Sequence, residues 1–241
     1  MTGKGNKPKH KWQFSAWFRR QRFGWRASRL ACQRIREAVK EISTVAKHEP
    51  VLAGEGAVLL LERLSPALMQ VDSSTGALGT AANKAIERGV EIIAASGADE
   101  AIHDAWCERL WQALEENDMY IEYLGDCWGT LCLTRQRASA WADRFLPTVK
   151  ALWKRRRKSG KLEFFRGTTA CLSALLAAAR YDELLALLEL APSVFGPYQE
   201  YGYRALLAQG RNKEAAHYPR GMWVYNPGRN DMPDSNAALP K

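Results

Sequence analysis

Acidic side chains are nearly absent from the first 40 positions of this 241-residue chain, where Glu37 is the single one. The same positions hold 12 of the 35 Lys and Arg residues, which gives them a net charge of about +11. The other 201 residues contain 23 bases and 25 acids, so the formal charge of +9 belongs to one end of the chain. We expect that end to contact a negatively charged partner.

Residues that favour strands are also scarce, because Val, Ile and Thr together number only 25. Ala, Leu, Arg and Glu dominate the stretches between turn signals, a composition typical of helices. Apolar runs such as residues 57–61 are far shorter than the roughly 18 residues that a membrane span needs. No apolar run follows the basic N-terminus, so we expect no secretory signal and no transmembrane segment. The sequence predicts an all-α protein.

Cysteine is infrequent and unevenly spaced, with five residues scattered over the chain. An odd number in a chain of this size indicates reduced thiols and a cytoplasmic protein. His103 and Cys107 lie four positions apart and Cys127 and Cys132 follow, but this spacing does not match common zinc sites. We therefore predict no metal and no cofactor.

Catalytic motifs are missing from the sequence. It contains no GxSxG, no GxxxxGK[ST], no HExxH and no GxGxxG after a strand, and residues 54–56 (Gly-Glu-Gly) are too short to count. The acidic pairs 99–100 and 115–116 are adjacent on predicted helices and point about 100° apart. We assign no catalytic residue and expect a non-enzymatic function; a hydrolase or nuclease built from dispersed carboxylates is an alternative.

Caps, prolines and glycines divide the chain into predicted helices. Ser28 and Asp99 are predicted N-caps, Ser65-Pro66 is a predicted helix start, and Pro147 predicts a kink or a break. The predicted helices cover residues 28–48, 51–64, 81–95, 99–114, 119–133 and 136–153. The predicted organisation is a basic aromatic arm (1–27, its first 11 residues a flexible tail), a helical domain (28–153), a basic hinge loop (154–161), helical-repeat hairpins (162–218) and an irregular tail (219–241).

The segment 12–26 combines six aromatic residues with four arginines. In one interpretation the arginines neutralise phosphates while the rings stack on unpaired bases of DNA or RNA. In a second, the segment lies on an anionic membrane surface. In a third, the rings are core and the arginines are only solvated. The rings singled out for stacking or core packing are Trp12, Trp17, Phe18 and Trp25, and the arginines are Arg19, Arg20, Arg22 and Arg26.

Two further groups of basic residues could contact the same anion. Arg29, Arg36 and Lys40 align on one side of the predicted helix 28–48, opposite an apolar side. A second run contains Lys154, Arg155, Arg156 and Arg157. It either contacts phosphate or forms a solvated helix C-terminus, where cations interact favourably with the helix dipole.

The C-terminal part contains an internal repeat. ALLAAARYDELLAL, from position 174, and ALLAQGRNKEAAHY, from position 205, match at Ala-Leu-Leu-Ala, at an arginine and at a glutamate. Residues 168–218 resemble tetratricopeptide-type helical hairpins, whose period is about 34 residues. The resemblance implies an antiparallel helix-hairpin array of the tetratricopeptide or HEAT type, with a concave face for a protein partner.

The sequence thus favours a non-enzymatic helical-repeat scaffold or adaptor. Its basic N-terminal arm would contact nucleic acid or an acidic partner, and its repeat face would hold a protein. The alternative is a purely protein-binding repeat module in which the aromatic residues of the arm are core.

Overall fold

The computed structural model describes residues 10–116, 119–159, 164–191 and 196–218, excepting the side chains of residues 156–159. The described part contains helices and no strand, which confirms the all-α class. Short 3-10 helices occur at Gln13–Ala16, Trp25–Ala27 and Glu122–Leu124. The α-helices are α1 (Ser28–Val45), α2 (Pro50–Leu68), α3 (Ala77–Ala94), α4 (Glu100–Glu116), α5 (Trp128–Leu131), α6 (Arg135–Ser159), α7 (Gly167–Ala177), α8 (Tyr181–Glu189), α9 (Gly196–Ala208) and α10 (Asn212–His217).

A continuous hydrophobic cluster connects these helices, from Trp12 near the N-terminus to Ala205 in α9. Helices α1, α2 and α3 pack against one another, α4 packs on α2, and α6 packs along α7. The division into a helical domain, a hinge and a repeat domain stays a prediction. The predicted flexible tail and the C-terminal tail fall on residues 1–9 and 219–241, outside the described part.

Helix α2 continues through Ser65 and Pro66, so the predicted helix start at this pair is wrong. Pro66 lies in the last turn of α2. The Ser65 hydroxyl does not cap a helix. It is buried and accepts a hydrogen bond of 3.0 Å from the Tyr120 N–H, and thereby ties the segment after α4 to α2.

Helix starts differ from the sequence expectation in one case and agree in another. Ser28 is already helical, and Ala27 occupies the N-cap without a side-chain hydrogen bond, because a 3-10 turn leads directly into α1. Asp99 behaves as predicted, since its Oδ1 accepts a hydrogen bond of 2.9 Å from the Ile102 N–H at the start of α4.

The predicted helix 119–133 is wrong, because this segment contains only a 3-10 turn and the four-residue α5. Gly129, within α5, lies close to α7: its N–H donates to the Ser173 hydroxyl at 2.9 Å, and a Cβ there would lie 2.6 Å from the Ser173 carbonyl oxygen. The chain is held against α7 by this close approach, which only glycine permits.

Helix α6 passes through Pro147 without a break and extends to Ser159. Residues 154–159, which the sequence assigns to a loop, are therefore helical. A proline within a helix removes one backbone hydrogen bond. Flanking residues Phe145, Leu146 and Val149 are buried, and their packing retains the helix.

The two copies of the sequence repeat contain the same turn. Ala179 and Gly210 have positive φ angles of 59° and 73°, and the residue after each donates its N–H to the carbonyl five positions earlier, at 3.0 and 2.9 Å. This is the Schellman arrangement at a helix C-terminus. Arg180 and Arg211 follow these turns and form ion pairs with the glutamates three residues later. The two turns are thus alike in local structure, whereas the helical repeat and its assignment to the tetratricopeptide or HEAT type stay predictions.

Candidate nucleic-acid interface

Residues 12–27 fold over α1 and α2 and place four aromatic rings in the core. Trp12, Phe14, Phe18 and Phe23 are between 0 and 6 % exposed. Successive ring centroids in this series lie 5.4, 6.5 and 5.8 Å apart, typical of packed aromatic pairs. Of the rings predicted to stack or to pack, Trp12 and Phe18 are therefore core residues that no base can reach.

The other two predicted rings lie at the surface. Trp17 is half-buried, and the Arg34 guanidinium carbon lies 4.2 Å from its ring centroid in a cation–π contact. Trp25 is 67 % exposed, and Leu30, five positions later, is 46 % exposed. Trp25 is the ring that this segment offers to a ligand.

Backbone hydrogen bonds fix the segment at both ends of its path. The N–H groups of Gln13 and Phe14 donate to the Glu41 carboxylate at 2.7 and 3.1 Å. The Gln21 N–H donates to the Pro66 carbonyl at 2.9 Å. The last four carbonyls of a helix have no partner within the helix, so the segment satisfies one of the free carbonyls of α2. It is an integral part of the helical body.

A tight turn at Gln21 projects three arginines into solvent. Gln21 has a positive φ of 54°, a conformation that costs a non-glycine residue on the order of 1 kcal/mol. Arg19, Arg20 and Arg22 on either side of it are exposed. Arg19 and Arg20 line two shallow surface clefts of about 550 and 520 Å³, the first of which also contains Arg63 of α2.

Helix α1 continues this charged surface. Its apolar side, which includes Ile35, Ala38 and Ile42, is buried as the sequence predicts. Arg29, Arg36 and Lys40 on its other side are exposed. We call the following seven exposed cations the basic surface, and within the described residues none of them forms a salt bridge: Arg19, Arg20, Arg22, Arg26, Arg29, Arg36 and Lys40.

The acids nearest to the basic surface along the chain already have partners. Glu37 accepts hydrogen bonds from Gln33 and then Arg34, which hold the pKa of its carboxyl below the usual value. Glu41 receives the two backbone N–H groups described above. These interactions leave the exposed arginines available to an external anion.

The second basic run lies on a different element. Lys154 and Arg155 are exposed near the C-terminal end of α6, and the side chains of Arg156 and Arg157 lie outside the described part. Trp153, which immediately precedes Lys154, packs against Tyr198 of α9 with ring centroids 5.8 Å apart. The run therefore belongs to the α6–α9 side, whereas the basic surface lies on α1 and the segment before it.

Gly56 leaves room for the Trp12 ring of the N-terminal segment because glycine has no side chain. A Cβ at this position would lie 2.7 and 2.8 Å from Cη2 and Cε2 of the Trp12 indole. We predict that Gly56→Ala lowers the free energy of unfolding by about 1–3 kcal/mol, the usual cost of an overpacked core. Urea denaturation measures the difference.

Gly79 provides the matched control for Gly56. It also lies in a helix, α3, but a Cβ there has no atom within 4 Å. Gly79→Ala should leave stability unchanged or raise it by about 0.5 kcal/mol through helix propensity. Equal losses in both variants would contradict the role assigned to the Trp12 contact.

Sequence reasoning singled out His103 and the cysteines as possible ligands, and the structure buries most of them. His103 Nδ1 lies 3.8 Å from Cys107 Sγ. Burial raises the pKa of the Cys107 and Cys132 thiols to about 12. Among the described residues no three His, Cys, Asp or Glu side chains are placed to bind one metal ion.

Burial also lowers the pKa of His103, whose Nε2 has no hydrogen-bond partner among the described residues; nearby Arg137 lowers it further and Asp104 opposes the shift. The unfolded chain therefore binds a proton on His103 more readily than the folded chain. We predict that stability is full above pH 6.5 and falls below it, by at most about 1.4 kcal/mol per pH unit from this group. His103→Leu should flatten the dependence in urea denaturation between pH 5 and 8, and the exposed His48→Gln should not.

Glu55 and Glu62 of α2 are engaged in structural ion pairs. Arg109 binds Glu55 at 2.7 Å and Glu62 at 2.7 Å, and the Trp106 indole N–H donates to Glu55. This network joins α4 to α2. It could not be found by motif, because its members are 47 and 54 positions apart.

Comparisons with known proteins identify no relative: no family model matches the chain, and neither curated proteins nor solved structures give a significant match. Within the described residues, no helix is both long enough and apolar enough to cross a membrane. The functional argument therefore depends on the surfaces of this chain alone.

Proposed function

We propose that this chain is a non-enzymatic helical adaptor that binds the phosphate backbone of nucleic acid through its basic surface. The observation that carries the proposal is the rigid display of seven exposed cations, without salt bridges to the described residues. Phosphate contacts of this kind supply affinity that does not depend on sequence.

The burial of four rings makes stacking a minor contribution in this proposal. Trp25 is the ring of the segment that stays well exposed, so at most one base or sugar can pack on an aromatic face at this site. The neighbouring arginines supply most of the binding energy. We therefore expect duplex DNA and single-stranded RNA to bind with similar affinity.

The proposal includes a second partner on the C-terminal side. The two Schellman turns, with their equivalent arginine–glutamate pairs, support a helical-repeat array of the tetratricopeptide type in residues 168–218. We propose that this array holds a protein partner and that the chain acts in the cytoplasm.

Salt dependence tests the nucleic-acid half of the proposal. Fluorescence anisotropy with a labelled 25-base-pair duplex and a labelled 25-nucleotide RNA should show affinity falling by about 10³-fold between 50 and 200 mM salt, if about six phosphates are neutralised. Dissociation constants weaker than about 100 μM at 50 mM salt would overturn the proposal.

A purely protein-binding module is the second candidate function. The observation that favours it is the packing of Trp12, Phe14, Phe18 and Phe23 as core, with the arginines then conferring only solubility. This candidate would be selected if the chain bound neither nucleic acid but retained a protein partner in a pull-down.

A further inference from the structure

A third cleft, of about 560 Å³, lies apart from the basic surface. It is formed where the segment between α4 and α5 meets helix α9, with α3 and α7 contributing to its walls. A cleft of this volume is within the range of sites that bind small molecules or short peptide segments. None of the seven cations of the basic surface lines it.

Four tyrosines line this cleft: Tyr120, Tyr123, Tyr198 and Tyr201. Two of the four come from the segment after α4 and two come from α9, so folding brings together rings that are about 80 positions apart. The Tyr123 hydroxyl donates to Glu87 at 3.2 Å, and the Tyr201 hydroxyl donates to Asp126 at 2.7 Å. These bonds orient the Tyr123 and Tyr201 rings. Tyr120 and Tyr201 are buried, whereas Tyr123 and Tyr198 are half-buried and are the rings that an organic cation can contact.

The charged residues in the cleft make it acidic in a basic protein. Glu122, Asp126 and Glu200 line it together with one cation, Arg204. The cleft thus has an excess of two negative charges, whereas the whole chain carries +9. A cationic ligand is favoured here and a phosphate is not.

Asp126 is the centre of this acidic site. The Ser173 hydroxyl donates to its backbone carbonyl at 2.7 Å, and Tyr201 holds one carboxylate oxygen, so the side chain is fixed while it stays open to solvent. Desolvation by the cleft walls raises the pKa of its carboxyl and nearby Glu122 adds to the rise, while the hydrogen bond from Tyr201 and the charge of Arg204 oppose it. A cation that bound here would relieve both effects.

We propose that this tyrosine-lined cleft binds an arginine-containing peptide segment of a partner protein, with a guanidinium group against Asp126 and the tyrosine rings. A cleft of about 560 Å³ has room for more than one side chain. Guanidinium is the cation that best combines pairing with a carboxylate and stacking on aromatic faces. The site goes beyond the proposed phosphate-binding function and does not depend on it.

Isothermal titration calorimetry with the full chain tests the proposal. The probe is a blocked pentapeptide of alternating glycine and arginine, and its matched control is the same peptide with citrulline, which has a similar shape but no charge. Asp126→Asn, which keeps an oxygen for Tyr201, should weaken binding of the arginine peptide by about tenfold or more. Arg204→Gln should strengthen it at least about twofold, because a like charge is removed.

Two charge-matched variants provide controls: Glu116→Gln and Lys213→Gln change exposed residues outside the cleft. They should leave the dissociation constant unchanged. Equal binding of the citrulline peptide, or the same affinity in Asp126→Asn and Arg204→Gln as in the unaltered chain, would overturn the proposal. Arginine amide binding as tightly as the pentapeptide would also overturn it, because the ligand would then be a small cation. None of these outcomes bears on nucleic-acid binding, which uses the opposite charge.

Discussion

We predict that a chain shortened to begin at Trp25 no longer folds cooperatively. The deletion removes Trp12, Phe14, Phe18 and Phe23, all buried, and exposes the α1 and α2 surfaces that they cover. Truncation of one buried Phe or Trp costs about 3–5 kcal/mol, and whole domains are stable by only about 5–15 kcal/mol. The loss of four such rings therefore exceeds what the remaining core tolerates.

Circular dichroism at 222 nm measures this outcome during heating. The shortened chain should show a broad, weak transition, whereas a chain that begins at His10, with all four rings retained, should melt cooperatively. If the chain beginning at Trp25 unfolded as sharply as the control and within about 5 °C of it, the aromatic segment would not be part of the core.

This prediction also decides how the function must be tested. The N-terminal segment is both a charged surface and a structural element, because Glu41 and the α2 carbonyl of Pro66 bind its backbone. A deletion that abolished ligand binding would therefore not distinguish a lost binding site from a lost fold. Substitution of exposed arginines separates the two, because the buried rings stay in place.

Helix α1 shows what the sequence reveals directly. Its apolar and basic residues repeat at helical spacing, and one side of the helix is buried while the other is exposed. The cap at Asp99 and the paired turns after Ala179 and Gly210 were also predictable from local chemistry, since each depends on residues within a few positions.

Features that depend on contacts between distant segments were not predictable. Ser65-Pro66 has the pattern of a helix start, yet the Ser65 hydroxyl binds Tyr120, 55 positions away. The predicted helix 119–133 is reduced to a 3-10 turn and α5, in which Gly129 packs closely against Ser173 of α7. Tertiary packing overrides local propensity in both cases.

The two candidate sites also differ in how far the sequence predicts them. The charge of the basic surface was evident in the sequence, whereas the burial of the adjacent rings was one of three alternatives there. Local pattern alone could not identify the acidic cleft, because Asp126 and Tyr201 are 75 positions apart and meet only through the contact of α9 with the segment after α4.

Replacement of Arg19, Arg20 and Arg22 by Gln in one variant should remove most nucleic-acid binding without unfolding the protein. All three side chains are exposed, and changes at such positions typically alter stability by less than about 0.5 kcal/mol each. Each phosphate contact contributes about 0.9 to the slope of log affinity against log salt, so the slope should decrease in magnitude by about 3. At 50 mM salt we expect affinity to fall by at least about tenfold.

The matched control for this variant replaces three other exposed cations, Lys84, Arg135 and Lys213, by Gln. It lowers the net charge by the same amount but leaves the basic surface intact. Anisotropy titrations from 50 to 200 mM salt should give the unaltered slope for this control and the reduced slope for the arginine variant. The same reduction in both variants would mean that nucleic acid responds to overall charge, and the turn at Gln21 would then be no specific phosphate site.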